Sequence, residues 1–270
     1  MKITDHSFEQ LKIGLCNIGL EAGTTVMLHV SLRAIGKIEG GATTLIKAIL
    51  QIVGSEGTIL MLVGSNDAFY DIADWPPHIM KKKLNVRKPF DIANTPANLD
   101  WGITGEVLRT WDESYRSQHP DYSFAAVGRL ARKLTSEHNI NYCHGPSSPL
   151  AKLCDLNGKV LILGAPFHSV TLVHLCEHLA HVARKQVISY QVPIFREGKR
   201  KIISIERFNT HHNIPGYEPK DYFDSMIRDY LNSVHGNSGK VGNADSFLLN
   251  SIEFRDFGVQ WLEQHLPPAK

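Results

Sequence analysis

Three short apolar runs constrain this chain more than any other feature: TTVMLHVSL (24–32), GTILMLVGS (57–65) and GKVLILGAP (158–166). Each is of strand length, is dominated by apolar side chains and runs into Gly or Ser, so each reads as a buried strand. Helical patterns alternate with them. SFEQLKIGLCNIGL (7–20) is amphipathic with Ser7 as its N-cap, GGATTLIKAILQIVG (40–54) is opened by glycines and closed by Gly54, and GITGEVLRTW (102–111) is helical. SFAAVG (123–128) is a further short strand. QVISYQVPIF and KRKIISIERF flank Glu197-Gly198 and predict a hairpin, with a mostly helical C-terminal part after it. Strand–helix alternation argues for α/β layers, and the late hairpin argues for an antiparallel component, hence a mixed sheet. Residues 66–100 are rich in Pro and Asp and read as a long surface excursion, the kind of loop that carries function.

Length and charge exclude several classes. At 270 residues the chain suits one large domain or two small ones. A formal net charge of +2, with no basic stripe interleaved with aromatics, argues against nucleic acid. The run Lys81-Lys82-Lys83 reads as a solvated loop. Cys16, Cys143, Cys154 and Cys176 include no CxxC pair, so neither a zinc knuckle nor a redox motif is present, and they read as reduced thiols. The first residues hold no apolar signal core, and no run reaches membrane-spanning length. The expectation is a soluble, cytoplasmic protein without membrane partners.

HLCEHLAH (174–181) crowds three histidines, a glutamate and a cysteine into eight positions. On a helix, Leu172, Leu175, Leu179 and Val182 share one side, and His174, Glu177, His178 and His181 the other. A solvated polar stripe explains that pattern by itself. A metal reading has His174 and His178 at i and i+4, but HExxH is absent and no third ligand is fixed by local spacing. A catalytic reading is more economical. His174 lies one turn into a helix that follows a buried strand, where α/β proteins bind ligands. Glu177, at i+3, reaches it and orients the ring or holds a cationic substrate.

Longer motifs decide between these readings. HVSLRAIG (29–36), GGATTLIKAIL (40–50), RSQHPDYSFAAVG (116–128), GPSSPLAKL (145–153), VLILGAPFHSVTLVHLCEHLA (160–180) and SFLLNSIEFRDFGVQWLEQHL (246–266) occur in this order. Together they resemble the aminoglycoside 3-N-acetyltransferase family nearly end to end. The resemblance implies a single domain over 1–270 with a three-layer α/β/α fold and a mixed sheet. It also implies acetyl transfer from acetyl-CoA to the 3-amino group of a deoxystreptamine aminoglycoside, conferring resistance, by a monomer or homodimer.

Residue roles follow from that resemblance. Ser31, Leu32 and Arg33, in a strand–turn–helix start suited to anions, are cofactor-binding candidates. Ser123 and Phe124 line the cofactor channel, and Ser148 is a cofactor candidate whose position also suits a plain helix cap. His119 is either a substrate contact or a structural hydrogen-bonding residue. Asp67, Tyr70 and Asp71 are expected near the drug, since a polycation needs carboxylates. His174 is the general base, Glu177 its partner or an amine ligand, and Thr171 a donor to the developing oxyanion. No metal and no cysteine nucleophile is required, so direct transfer is expected rather than a ping-pong route.

One departure stands out. Where relatives often have an acidic residue after the phenylalanine of ERFNTHHNI, this chain has Asn209, with Glu206 as the nearest compensating carboxylate. That leaves another amine or amino sugar as the alternative acceptor. A metal-dependent hydrolase and a drug-sequestering binding protein are the readings from other classes.

Overall fold

A computed structural model describes residues 5–68, 75–183, 185–209, 222–233 and 237–266. The expected helix at the start is α1 (Phe8–Asn17), where Ser7 and Gln10 form a reciprocal capping box. Then come β1 (Thr25–Val30), the one-turn α2 (Leu32–Ile35), α3 (Gly41–Val53) and β2 (Thr58–Leu62). The middle of the chain holds α4 (Pro77–Val86), α5 (Ile103–Arg109), β3 (Tyr115–Arg116), β4 (Phe124–Gly128), α6 (Ala131–Thr135) and α7 (Pro149–Asp155). The rest is β5 (Lys159–Leu163), α8 (Leu172–Leu179), β6 (Val187–Arg196), β7 (Lys199–Phe208), α9 (Tyr222–Ser233), β8 (Asn237–Val241), β9 (Ala244–Asn250) and α10 (Ser251–His265).

The three apolar runs are the centre of a seven-stranded sheet of order β3-β4-β2-β1-β5-β9-β8. β1 lies parallel to both β2 and β5. β4 runs antiparallel to β2, and β9 antiparallel to β5, so the sheet is mixed. Side chains alternate between two cores, as the pleat requires. Leu28, Ile59 and Leu161 face α1 and α3, whereas Met27, Leu60 and Ile162 face α7, α8 and α10. The architecture is therefore three-layer α/β/α.

Two expectations need correction. The predicted hairpin, β6–β7, does not supply the antiparallel part of the main sheet; it is a separate two-stranded sheet with its own small core of Phe90, Tyr190, Val192, Ile194 and Ile205. Its strands alternate apolar and polar residues over an extended length, which suits a sheet with one wet face. The C-terminal part is also less helical than its pattern suggests. β8 and β9 form a second hairpin that completes the sheet edge.

The stretch read as a surface excursion is built into the molecule at its far end. Arg87 is buried and paired with the buried Asp121 at 2.6 Å, and Tyr190 of β6 donates its hydroxyl hydrogen to the same carboxylate. Phe90 exchanges backbone hydrogen bonds with β6, accepting from Phe195 and donating to Pro193. The excursion, the hairpin and the loop before β4 are thus tied together beside the sheet. Among the described residues no helix is long and apolar enough to cross a membrane.

Candidate active site

Topology gathers several of the predicted residues. β1, β2 and β5 are parallel, so the segments that leave their carboxyl ends share one edge of the sheet, where open α/β sheets bind ligands. β1 delivers Ser31–Arg33, β2 delivers Gly64–Asp67, and β5 delivers the turn that leads through Thr171 into α8. β4, being antiparallel, starts at this edge, and Val63 and Gly64 donate their N–H groups to Ser123.

On α8 the polar stripe is not a wet face. His174 Nδ1 lies 2.6 Å from Glu177 Oε2, with the glutamate 1% exposed and the imidazole 20% exposed. The other carboxylate oxygen of Glu177 accepts from the hydroxyl of Tyr222, which is fully buried at the start of α9. A carboxylate can only accept, so Nδ1 of His174 is the donor in this bond, and Nε2 is the ring nitrogen left turned away from Glu177. Glu177 orients the ring, as expected for a base with its partner. Its other expected role, as a direct ligand for a cationic substrate, is corrected: both oxygens are engaged and the side chain is buried.

Four neutral imidazoles surround that pair. His144 stacks flat on His174, with ring centroids 4.9 Å apart and planes 10° apart. Burial, and the neighbouring His174, hold its pKa well below the usual imidazole value. His178 packs on Phe208 at 4.4 Å and edge-on to Tyr142; burial lowers its pKa to about 3. Gly145 leaves room for it, because a β-carbon there would lie 3.0 Å from His178 Nδ1. Behind them His138 bridges the hydroxyl of Ser117 and the carbonyl of Cys143, and burial lowers its pKa to about 3.

His119 is the fourth. It is 0% exposed, its Nδ1 accepts from the backbone of Asp121 and Tyr122, and its Nε2 meets the carbonyl of Ile140. It therefore has no free face for a substrate. Ser123 is equally buried, and its hydroxyl donates to Gly64 and accepts from Arg116. Phe124 is buried in the core beside His138 and His144, and Ser148 is buried as the N-cap of α7, accepting from Ala151. All three side chains are buried.

Ser31, Leu32, Arg33, Asp67 and Glu206 remain reachable. Ser31 is half-buried and caps α2, and Leu32 is half-buried beside it. Arg33 is exposed on the same turn, a cation free to meet a phosphate-bearing ligand. Asp67 is exposed just past β2, and Glu206 is exposed on β7. The backbone of Glu206 docks β7 onto the loop that carries Tyr142 and His144. Asn209 faces Gln186 across the hairpin end. Thr171 is 5% exposed; its side chain does not cap α8 and makes only a long 3.5 Å contact to the carbonyl of Ser169. Tyr70 and Asp71 lie outside the described residues, as do Thr210, His211 and His212.

Sequence reasoning missed Tyr222 and His144. The histidine was visible in CHGPSSPL, but nothing local ties residue 144 or 222 to an α8 residue. It also missed His29, buried near the end of β1 with no partner for Nε2, where burial lowers its pKa to about 4. The described residues hold no group of three His, Cys, Asp or Glu side chains placed to bind a metal ion.

Comparison with known proteins shows the family and the fold. Residues 27–263 match the family described as aminoglycoside 3-N-acetyltransferase. The chain is 37% identical over 259 residues to aminoglycoside N(3)-acetyltransferase III of Pseudomonas aeruginosa, covering 96% of this chain and 94% of that protein. It is similar to the solved structure of AAC-IIIb in binary complex with CoASH, with a TM-score of 0.90, 33% identity and 99% and 100% of the two chains covered. Sisomicin-bound AAC-VIa superposes with a TM-score of 0.89 at 33% identity, covering 97% and 98%.

Proposed function

Because this chain belongs to the aminoglycoside 3-N-acetyltransferase family, we propose that it moves the acetyl group of acetyl-CoA onto the 3-amino group of a deoxystreptamine aminoglycoside, by direct transfer with His174 as general base. It is an acyltransferase by membership. The donor is argued from the CoASH complex of AAC-IIIb and from the exposed Arg33 turn; the acceptor is argued from the relatives' names and from the sisomicin complex of AAC-VIa.

The observation that carries the mechanism is the chain Tyr222–Glu177–His174. Its effect is to anchor one imidazole nitrogen and leave the other, Nε2, to face an acceptor at the carboxyl edge of the sheet. An amine attacks only through its lone pair, so a proton must leave as the new C–N bond forms. His174 Nε2 takes that proton, directly or through a water, while Glu177 stabilises the imidazolium that results; the C–S bond then breaks, and the departing CoA thiolate takes up the proton to leave as the free thiol. Such help is worth about 10²–10⁴ in rate. A thioester is already activated, so holding both substrates together supplies much of the remainder. Ser31, Leu32 and Arg33 are assigned to the donor's phosphates, and Thr171 to the oxygen that gains charge. Asp67 and Glu206, with Tyr70 and Asp71, are assigned to the acceptor's ammonium groups. In this reading the protein works in the cytoplasm, where acetyl-CoA is made, and protects its host against the drug.

The test is thiol release from acetyl-CoA with gentamicin, tobramycin, neomycin and apramycin, with and without EDTA. Drug-dependent release that survives EDTA is the expected result, and silence with every drug would overturn the acceptor. His174→Ala should lower kcat by about 10²–10⁴ while CoA still binds; an unchanged kcat removes His174 from the role. Asn209, held by Gln186, favours one second reading, a plainer amino sugar as acceptor, which faster turnover of such amines than of any drug would establish.

A further inference from the structure

One histidine in the site wall is used differently from the two behind it. His119 and His138 are buried imidazoles whose two ring nitrogens are both bonded inside the protein, which is how a structural histidine is satisfied. His144 is as buried, at 6% exposure, yet its Nε2 has no hydrogen-bond partner. Its contacts are made through ring faces and edges. Tyr122 meets it edge-on at 4.9 Å, Phe124 meets it edge-on at 6.4 Å, and one flat face lies on His174.

The geometry around His174 gives that face a purpose. The covalent bond at Cγ and the hydrogen bond from Nδ1 to Glu177 hold one edge of the ring but leave its plane able to tilt about that edge. Such a tilt sweeps Nε2, on the far side of the ring, away from the acceptor. Phe223 limits the motion only by an edge, at 5.2 Å and 69°. A parallel ring blocks it across the whole plane.

We infer that His144 is a positioning residue for the reaction: stacked on His174, its ring fixes the plane in which Nε2 points at the attacking amine. The inference rests on the reading of His174 as the base. Burial also keeps His144 neutral, so it does not compete for the proton that His174 takes. The aromatic face is what matters, and the unpartnered nitrogen is not.

Steady-state kinetics of three variants test this. His144→Ala should lower kcat about 10- to 100-fold, the scale expected when a reacting group is displaced by about 1 Å, with KM for drug and acetyl-CoA held within about twofold. His144→Phe, which keeps a flat ring, should stay within about threefold of the parent. If the alanine variant does not fold, His144→Leu takes its place, filling the space without a flat face, and should be slow as well. A normal kcat in the alanine or leucine variant overturns the inference. So does a phenylalanine variant as slow as alanine, since the nitrogen would then be the active part. NMR relaxation of the His174 ring gives a readout independent of turnover: its order parameter should fall in His144→Ala and hold in His144→Phe. His174→Gln, run beside them, judges the base separately. If that variant keeps its rate the base reading falls, and the relaxation data alone decide whether His144 holds the ring. An unchanged His174 order parameter in His144→Ala overturns the inference.

Discussion

Glu177 is 1% exposed, and a carboxyl group in that position needs each oxygen matched. His174 serves one oxygen and the Tyr222 hydroxyl the other. Tyr222→Phe removes that donor while the ring stays packed against Phe223 and Trp261. The oxygen left behind costs about 1–3 kcal/mol of stability, more if it is charged. It also frees Glu177 to swing, so kcat should drop about tenfold with the KM for acetyl-CoA unchanged, on the scale of losing one oriented hydrogen bond. Thermal melts and initial rates on the same preparation check both effects. A melt that falls while kcat stays whole would make Tyr222 a stabilising residue only. At this scale the sequence was half legible. The i, i+3 spacing of His174 and Glu177 was enough to pair them, since helix geometry brings such residues together. Tyr222 and His144 were hidden because their contacts join residues 45 and 30 positions away from α8 partners, and no local period encodes a contact of that range.

At the scale of elements, α8 is held in place by α10. Gly258 lies in the middle of α10, and a β-carbon there would stand 2.7 Å from Cys176 Sγ and 3.2 Å from Met226 Sδ. The absence of a side chain lets the two helices approach until the thiol fills the gap. Cys176 is accordingly a core residue, 0% exposed, and burial raises its pKa well above an ordinary thiol. Gly258→Ala gains helix propensity of roughly 1 kcal/mol, but overpacking costs about 1–3 kcal/mol and must move one of the helices. The expected outcome is a lower Tm together with a lower kcat, because α8 carries His174 and Glu177. Pairing it with Cys176→Ala, which vacates the contested space, should restore both. A Gly258→Ala variant with full activity would mean that α8 is positioned from its sheet side instead. Elements were mostly readable from sequence because each buried strand and amphipathic helix announces its own period. The exceptions were contextual. KRKIISIERF pairs as predicted, but its apolar face covers Phe90 and Ile194 rather than the main sheet, and nothing in its alternation says which core it will join. The strand ADSFLLN was obscured by the helix that follows it without a break.

Across the whole molecule, the histidines make folding answer to pH. Burial lowers the pKa values of His29 and His119 to about 4, and of His138 and His178 to about 3. In the unfolded chain each titrates near 6.5. Between about pH 6.5 and pH 4 the unfolded chain therefore binds protons that the folded protein refuses, and stability must fall as pH falls. It is fully present above the unfolded value. Each such histidine contributes on the order of 1.4 kcal/mol per pH unit, and four titrating together approach the total stability of an ordinary domain within two or three units. Asp121 works in a lower window. Burial alone would raise its pKa, but Arg87, His119 and Tyr190 outweigh it and hold it below the usual carboxylate range, so its contribution is lost only as the pH drops through that lowered value. The melting temperature should be level from pH 8 to about pH 7, then decline steeply toward pH 5, with net proton uptake on unfolding measurable by calorimetry in buffers of different ionisation enthalpy. A flat melting temperature over that range would mean that these imidazoles are solvated and protonated in the folded protein. The same burial bears on the proposed chemistry: a polycationic acceptor approaches a wall of imidazoles kept neutral at working pH, so the wall offers shape and aromatic faces without like-charge repulsion, and the one imidazole that gains a proton is the one backed by Glu177.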